Sequence, residues 1–188
     1  MEAVRTLTLA AEAREVASGG HGEAVAKYSE AIGRELGLPP EELADLMRAA
    51  RVHDVGKILV PEAVLNRPEK LNEDEMRLVQ LHASLGARIV ETVPGYTRVA
   101  NLVRHHHERF DGTGYPSQLR GEEIPLGARI IAVAETFAHI TVDRPYAPRR
   151  TSSQALTELE SVSGTQFDGM VVRMFLRQMK GKAVRSGL

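Results

Sequence analysis

The chain contains no cysteine and no tryptophan, and only four phenylalanines and four tyrosines in 188 residues. Without thiols, disulfides, thiolate metal sites and cysteine nucleophiles are excluded. With so few aromatics, a domain of this length has to build its core from aliphatic side chains. The 25 acidic and 24 basic residues nearly cancel, leaving a net charge of −1, so no excess of one sign marks a surface for a polynucleotide or an anionic membrane. No basic segment followed by an apolar run opens the chain, and the longest apolar stretch, around 130–140, is broken by Glu135 and too short to span a bilayer. These absences point to a cytoplasmic protein with neither a nucleic-acid polymer nor a membrane as partner.

What is present reads almost entirely as helix. An Ala- and Glu-rich segment over 1–18 is broken by Gly19-Gly20, and a second helix is expected over 21–36 from Ala24, Tyr28, Ala31 and Ile32. Pro39-Pro40-Glu41-Glu42 starts a third, ending at Asp54-Val55-Gly56. The two prolines in 58–71 predict a loop, and Asn72-Glu73-Asp74-Glu75 has the spacing of a capping box for a helix through His82 towards Ile89. Further helices are expected over 97–108, 128–140, 152–159 and 167–179, with a glycine-rich ordered loop over 111–127. The domain plan is an N-terminal helix or linker over 1–19, one domain over 20–179, and a flexible basic tail over 180–188.

Five of the seven histidines fall in three places: beside Asp54 at His53, at His82, and in the run His105-His106-His107. Neighbouring side chains at a helix end diverge by about 100°, so His53-Asp54 can feed two adjacent metals or bridge them, and His106-His107 repeats that geometry. With His82 and a carboxylate from the 128–140 helix, the set suffices for a binuclear centre. Imidazole and carboxylate without thiolate suit iron, manganese or zinc better than calcium. Two such ions can polarise a phosphate and activate water, and Lys57, following a flexible Gly56, can reach a phosphate oxygen or leaving group.

These residues carry a family resemblance. His53-Asp54-x-Gly56-Lys57 is similar to the HD signature, and His106 to Pro116 resembles the HHExxDGxGYP signature, of the HD-GYP subgroup of HD-domain metal phosphohydrolases. Gly121-Glu122-x-Ile124-Pro125, Ala128-Arg129-Ile130, Asp143-Arg144-Pro145-Tyr146 and Gly164-Thr165-x-Phe167-Asp168 are similar to later landmarks of that family. The resemblance implies an all-α, HD-domain-like bundle that hydrolyses the second messenger cyclic di-GMP, giving pGpG or GMP, at a site of two or three divalent ions. It implies His53, Asp54, His82, His106 and His107 as metal ligands, with Asp54 and Lys57 in catalysis. Lys57, Gly114, Tyr115 and Pro116 would lie by the substrate, and Arg144 would clamp phosphate bidentately. Glu108 and Asp111 brace the motif by ion pairs and caps. The Gly112–Pro116 turn needs its glycines for tight geometry, and Tyr115 either stacks near the ligand or serves the turn alone.

Four positions depart from the family pattern. Glu135 stands where aspartate is usual, which moves the carboxylate by roughly 1.5 Å. Ala138 replaces a second aspartate, and the following His139, four residues after Glu135, either orients that carboxylate or faces solvent. His21 matches an early histidine ligand, but Ala17 stands where members with three metals carry glutamate. Ala147 replaces a basic residue. These departures leave two alternatives: a cyclic-dinucleotide-binding module with a weakened metal site, or an HD-type hydrolase of another nucleotide. A regulatory or sensory protein in trans and a homodimer through the N-terminal helix are the expected protein partners.

Overall fold

Proline and acidic residues at helix starts, and glycines at helix stops, divide the chain into a helical bundle in the computed structural model, which describes residues 2–14, 20–142 and 149–185. The helices are α1 (Glu2–Glu12), α2 (His21–Glu35), α3 (Pro40–Val52), α4 (Glu62–Leu65), α5 (Glu73–Glu91), α6 (Thr97–His105), α7 (Leu126–Thr141), α8 (Ser152–Ser161) and α9 (Gly169–Arg185). Two 3-10 turns, Val55–Leu59 and Gly121–Glu123, complete the elements. The described residues form no β-strand, only an isolated bridge between Ser163 and Phe167. None of the described helices is long and apolar enough to cross a membrane.

The all-α expectation holds, and the core is aliphatic as the composition requires. Val25 and Ile32 of α2, Leu46 and Ala49 of α3, Val103 of α6 and Ile130 and Ile131 of α7 are fully or almost fully buried. The scarce aromatics are concentrated: Tyr28, Phe137 and Phe175 pack edge to face, with ring centroids 5.0, 5.9 and 4.9 Å apart in the three pairs. That geometry adds about 0.5–1.5 kcal/mol per pair beyond the area buried. It ties α2, α7 and α9 into one block.

Helix ends depart from expectation where tertiary contacts decide them. The capping box at Asn72 forms as read, with reciprocal bonds of 2.9 Å between Asn72 and Glu75. By contrast, α1 stops at Glu12, whose carboxylate accepts from the Gly22 N–H at 3.0 Å. Arg14 then donates to the carbonyls of Ile58 at 2.5 Å and Val60 at 2.9 Å, closing the 3-10 turn after the His-Asp pair. The expected loop over 58–71 holds the end of that turn and the short α4. The expected basic tail continues α9 as far as Arg185.

Candidate metal centre

Three histidines share one structural device. His53 follows the last residue of α3, His106 follows the last residue of α6, and His82 lies within α5. In each, ring Nδ1 sits on the carbonyl three residues back: Ala50 at 2.8 Å, Val103 at 2.6 Å and Val79 at 2.5 Å. A carbonyl oxygen only accepts, so Nδ1 carries the proton and Nε2 of a neutral ring keeps its lone pair. The main chain thereby aims three Nε2 atoms into one space.

Those nitrogens converge on Asp54. Oδ1 lies 3.4 Å from His82 Nε2, and Oδ2 lies 3.4 Å from His53 Nε2 and 2.8 Å from Lys57 Nζ. Ligand atoms of Asp54, His82, His106 and His107 lie within 4.8 Å of one another, and so do those of His21, His53, Asp54 and Glu135. Asp54 belongs to both sets. We call the first the inner set and the second the outer set.

The residues fit a pair of cations. His82 Nε2 and His106 Nε2 face each other at 3.4 Å, and neutral rings protonated on Nδ1 have no hydrogen to place between them. His53 Nε2 and Asp54 Oδ1 are buried without a hydrogen-bond partner. Groups orphaned in this way cost about 1–3 kcal/mol each unless something else satisfies them, and a divalent ion is the partner this donor set suits.

The electrostatics agree. Burial, then the neighbouring imidazoles, hold His106 and His107 well below the usual histidine range, and burial likewise lowers His82. His21 is lowered to about 3 by burial and by His53. Burial also works against a charge on His53, but the Asp54 carboxylate, aided by Glu135 and the Ala50 carbonyl, outweighs it and raises the ring to about 9. A proton and a metal cation therefore compete for His53 Nε2. Asp54 is opposed by burial, yet Lys57 and His53 keep its carboxyl well below the usual carboxylate range.

Asp54 belongs to both sets and His53 to the outer one. His106 and His107 both fall in the inner set. His106 keeps right-handed helical dihedrals just past the end of α6, with φ −67° and ψ −16°. Glu135 reaches the outer set, with Oε1 4.0 Å from His107 Nε2. His21 joins that set as well. His139 is exposed, and its ring faces His21 at 6.4 Å. Ala17, Arg144 and Ala147 lie outside the described residues.

Gly56 is a packing residue and not a flexible one. A Cβ there would stand 2.0 Å from the His82 carbonyl oxygen, so only glycine lets the turn carrying Lys57 lie against α5. Gly114 acts similarly, since a Cβ would meet the Arg109 nitrogen at 2.2 Å and the Glu108 Cα at 2.6 Å. Buried Glu108 fastens the same loop, accepting from the N–H groups of Ser117 at 2.7 Å and Leu119 at 3.2 Å, with His105 Nδ1 3.4 Å away. Asp111 accepts from Arg109 at 2.8 Å and from the Thr113 N–H at 3.0 Å, and these bonds, Arg109 first, hold its carboxyl low. Both acids brace the loop. Tyr115, followed by Pro116, brings its ring 4.9 Å from that of His107, and burial followed by the charges of Glu135 and Asp54 raises its phenol.

A cleft of about 340 Å³ adjoins the centre, lined by His106, His107 and Glu135 together with Thr136, Glu158 and Gln166, among others. The last three have no sequence spacing that links them to the histidines.

Comparison with known proteins places this geometry. A family model described as HD domain matches residues 5–171. The chain is 40% identical over 177 residues to the cyclic di-GMP phosphodiesterase response regulator RpfG of Xanthomonas campestris pv. campestris, covering 92% of this chain and 47% of that protein. It is 38% identical to 3'3'-cGAMP-specific phosphodiesterase 3 of Vibrio cholerae, covering 84% and 34%. Against a cyclic di-GMP phosphodiesterase of Thermotoga maritima it is 34% identical, covering 95% and 49%. It thus spans between a third and a half of the length of these relatives. Among solved structures, the cyclic GMP-AMP-specific phosphodiesterase V-cGAP3 of V. cholerae superposes with a TM-score of 0.74 at 22% identity, over 98% of this chain and 50% of that one. The HD domain of the L. monocytogenes phosphodiesterase PgpH superposes with a TM-score of 0.64 at 15% identity, over 95% of both chains. The chain belongs to the HD domain family, and it carries the HD-GYP signature within it.

Proposed function

We propose that this domain is a metal-dependent phosphodiesterase that opens cyclic di-GMP to pGpG or GMP. The observation that carries the reading is Asp54, whose two carboxylate oxygens face different histidines, one in each ligand set. The inner ion would be held by Asp54, His82, His106 and His107, and the outer by His21, His53, Asp54 and Glu135. Iron or manganese suits these donors, and zinc is compatible with them. Two divalent ions, when bound, would supply Lewis-acid polarisation of a phosphate oxygen and acidify water.

The chain's own groups supply the rest. Lys57 Nζ, 2.8 Å from Asp54 Oδ2, places a cation beside the site, where it would attract the scissile phosphate and steady charge on the leaving oxygen. The raised Tyr115 phenol keeps its proton at neutral pH and can donate it to a phosphate oxygen. The Glu108-fastened loop holds that ring against His107. Curated relatives named as cyclic di-GMP phosphodiesterases, including those of T. maritima and X. campestris, favour this substrate class, while others are named 3'3'-cGAMP-specific.

The test is incubation of Mn²⁺- or Fe²⁺-loaded protein with cyclic di-GMP and 3'3'-cGAMP, with linear products resolved by chromatography. Turnover of cyclic di-GMP to pGpG or GMP is expected. No turnover with either metal, together with gain of activity in Glu135→Asp, would sink the claim of native activity.

A further inference from the structure

The cleft beside the outer ligand set runs from α7 to α8 and to the turn preceding α9. His107 and Glu135 belong to both the ligand sets and its wall, while Glu158 from α8 and Gln166 from the turn line it elsewhere. Two of its side chains have unspent hydrogen-bonding capacity. The Gln166 main chain is fixed on both sides, its N–H donating to the Val162 carbonyl at 3.0 Å and its carbonyl accepting from the Phe110 N–H at 3.1 Å. Its half-buried carboxamide forms no hydrogen bond among the described residues. Thr8, Thr141 and Thr157 each return a hydroxyl to the carbonyl four residues back, at 3.0, 2.8 and 3.1 Å. Thr136, inside α7, makes no such bond and lines the cleft.

Glu158 completes the polar lining. Arg150 holds its carboxylate through an ion pair, and a carboxylate still has further acceptor positions. Carboxamide, hydroxyl and carboxylate thus share one cavity with apolar Ala132 and Ile140. That is the make-up of a small-molecule site, and about 340 Å³ lies near the lower end of the roughly 300–1,000 Å³ such sites occupy. The volume suits one nucleobase half of a dinucleotide.

We propose that this cleft is a nucleobase pocket in which Gln166 and Glu158 read a guanine edge; the inference rests on the cyclic-dinucleotide reading above. Guanine presents N1–H and the exocyclic N2–H₂ side by side, with O6 as the adjacent acceptor. A carboxylate can only accept, so Glu158 takes the two donors while a Gln166 N–H meets O6. Adenine has a bare N1 in place of guanine's N1–H, which turns the carboxylate contact into a repulsion. The pocket therefore selects guanine by what it refuses as well as by what it binds.

The experiment uses the Mn²⁺-loaded full chain, with calorimetry and steady-state kinetics on cyclic di-GMP and cyclic di-AMP. Gln166→Ala is expected to raise Kd and KM for cyclic di-GMP about tenfold, to move kcat less than about twofold, and to keep the metal content. Glu158→Gln is expected to narrow the preference for cyclic di-GMP over cyclic di-AMP by a similar factor. Wild-type turnover of cyclic di-GMP with Kd and KM unmoved in both variants overturns the pocket and leaves the hydrolase reading standing. Binding without wild-type turnover, weakened tenfold by Gln166→Ala, sustains the pocket while the hydrolase reading falls. A wild type that binds neither dinucleotide overturns both.

Discussion

The two ligand sets share Asp54 and differ in how firmly the rest is held. In the inner set, His82 and His106 are fully buried and tied by Nδ1 to main-chain carbonyls. In the outer set, His53 has that support, but His21 stands at the first residue of α2 and Glu135 reaches in on a long side chain, both half-buried. An inner ion would meet two anchored rings beside the half-buried His107, whereas an outer ion would meet one anchored ring and have to order His21 and Glu135. Preorganisation lowers the cost of binding, so the inner set is expected to hold its ion more tightly and the outer set to exchange.

The largest test removes what the sets share. Asp54→Ala is expected to cut bound metal, measured by elemental analysis, from two equivalents to below one and to lower turnover on the order of 10³-fold. Retention of both ions would dissolve the bridging role. Next comes a paired deletion. His106→Ala should lose the inner ion, while His21→Ala should keep it and weaken outer-site affinity by about 10–100-fold; equal losses in a chelator titration would erase the distinction.

Glu108→Ala should leave both ions bound yet reduce unfolding stability by about 1–3 kcal/mol in a denaturant titration, because two loop N–H groups lose their acceptor. The pH response of metal-stripped protein follows from the signs of the shifts. His21, His82, His106 and His107 have folded values below 6.5, so their contribution is present above pH 6.5 and lost as pH falls, towards about 3 for His21. His53 is raised to about 9, so its contribution is full below pH 6.5 and lost as pH rises to 9. Tm is expected to fall on both sides of neutrality, more steeply on the acid side, where four groups act together. The smallest effect belongs to His139→Ala, expected within about threefold in outer-site affinity, since the ring faces His21 from an exposed position.

Much of this was legible in the sequence because ligands and caps are local patterns. The Asn72 box, the His-Asp pair and the HHExxDGxGYP run each announce themselves within a few residues. Helix ends were less legible, since tertiary contacts set them. Nothing around Gly56 says that a Cβ there would strike the His82 carbonyl, and nothing before Arg14 says that its guanidinium serves carbonyls more than forty residues away. Thr136, Glu158 and Gln166 were invisible for another reason: a polar group with no spacing to the histidines reads as ordinary surface until the cleft around it is seen.

The three carbonyl-anchored histidines carry one more implication. Each ring takes its heading from the peptide group one turn behind it, so the centre's geometry is inherited from helix pitch and helix length and not negotiated among neighbouring side chains. The centre is in this sense a property of three main-chain turns. A proline or an inserted residue one turn upstream of His53, His82 or His106 would misaim the ring without touching any ligand, so damage to this site can originate at positions that no list of ligands contains.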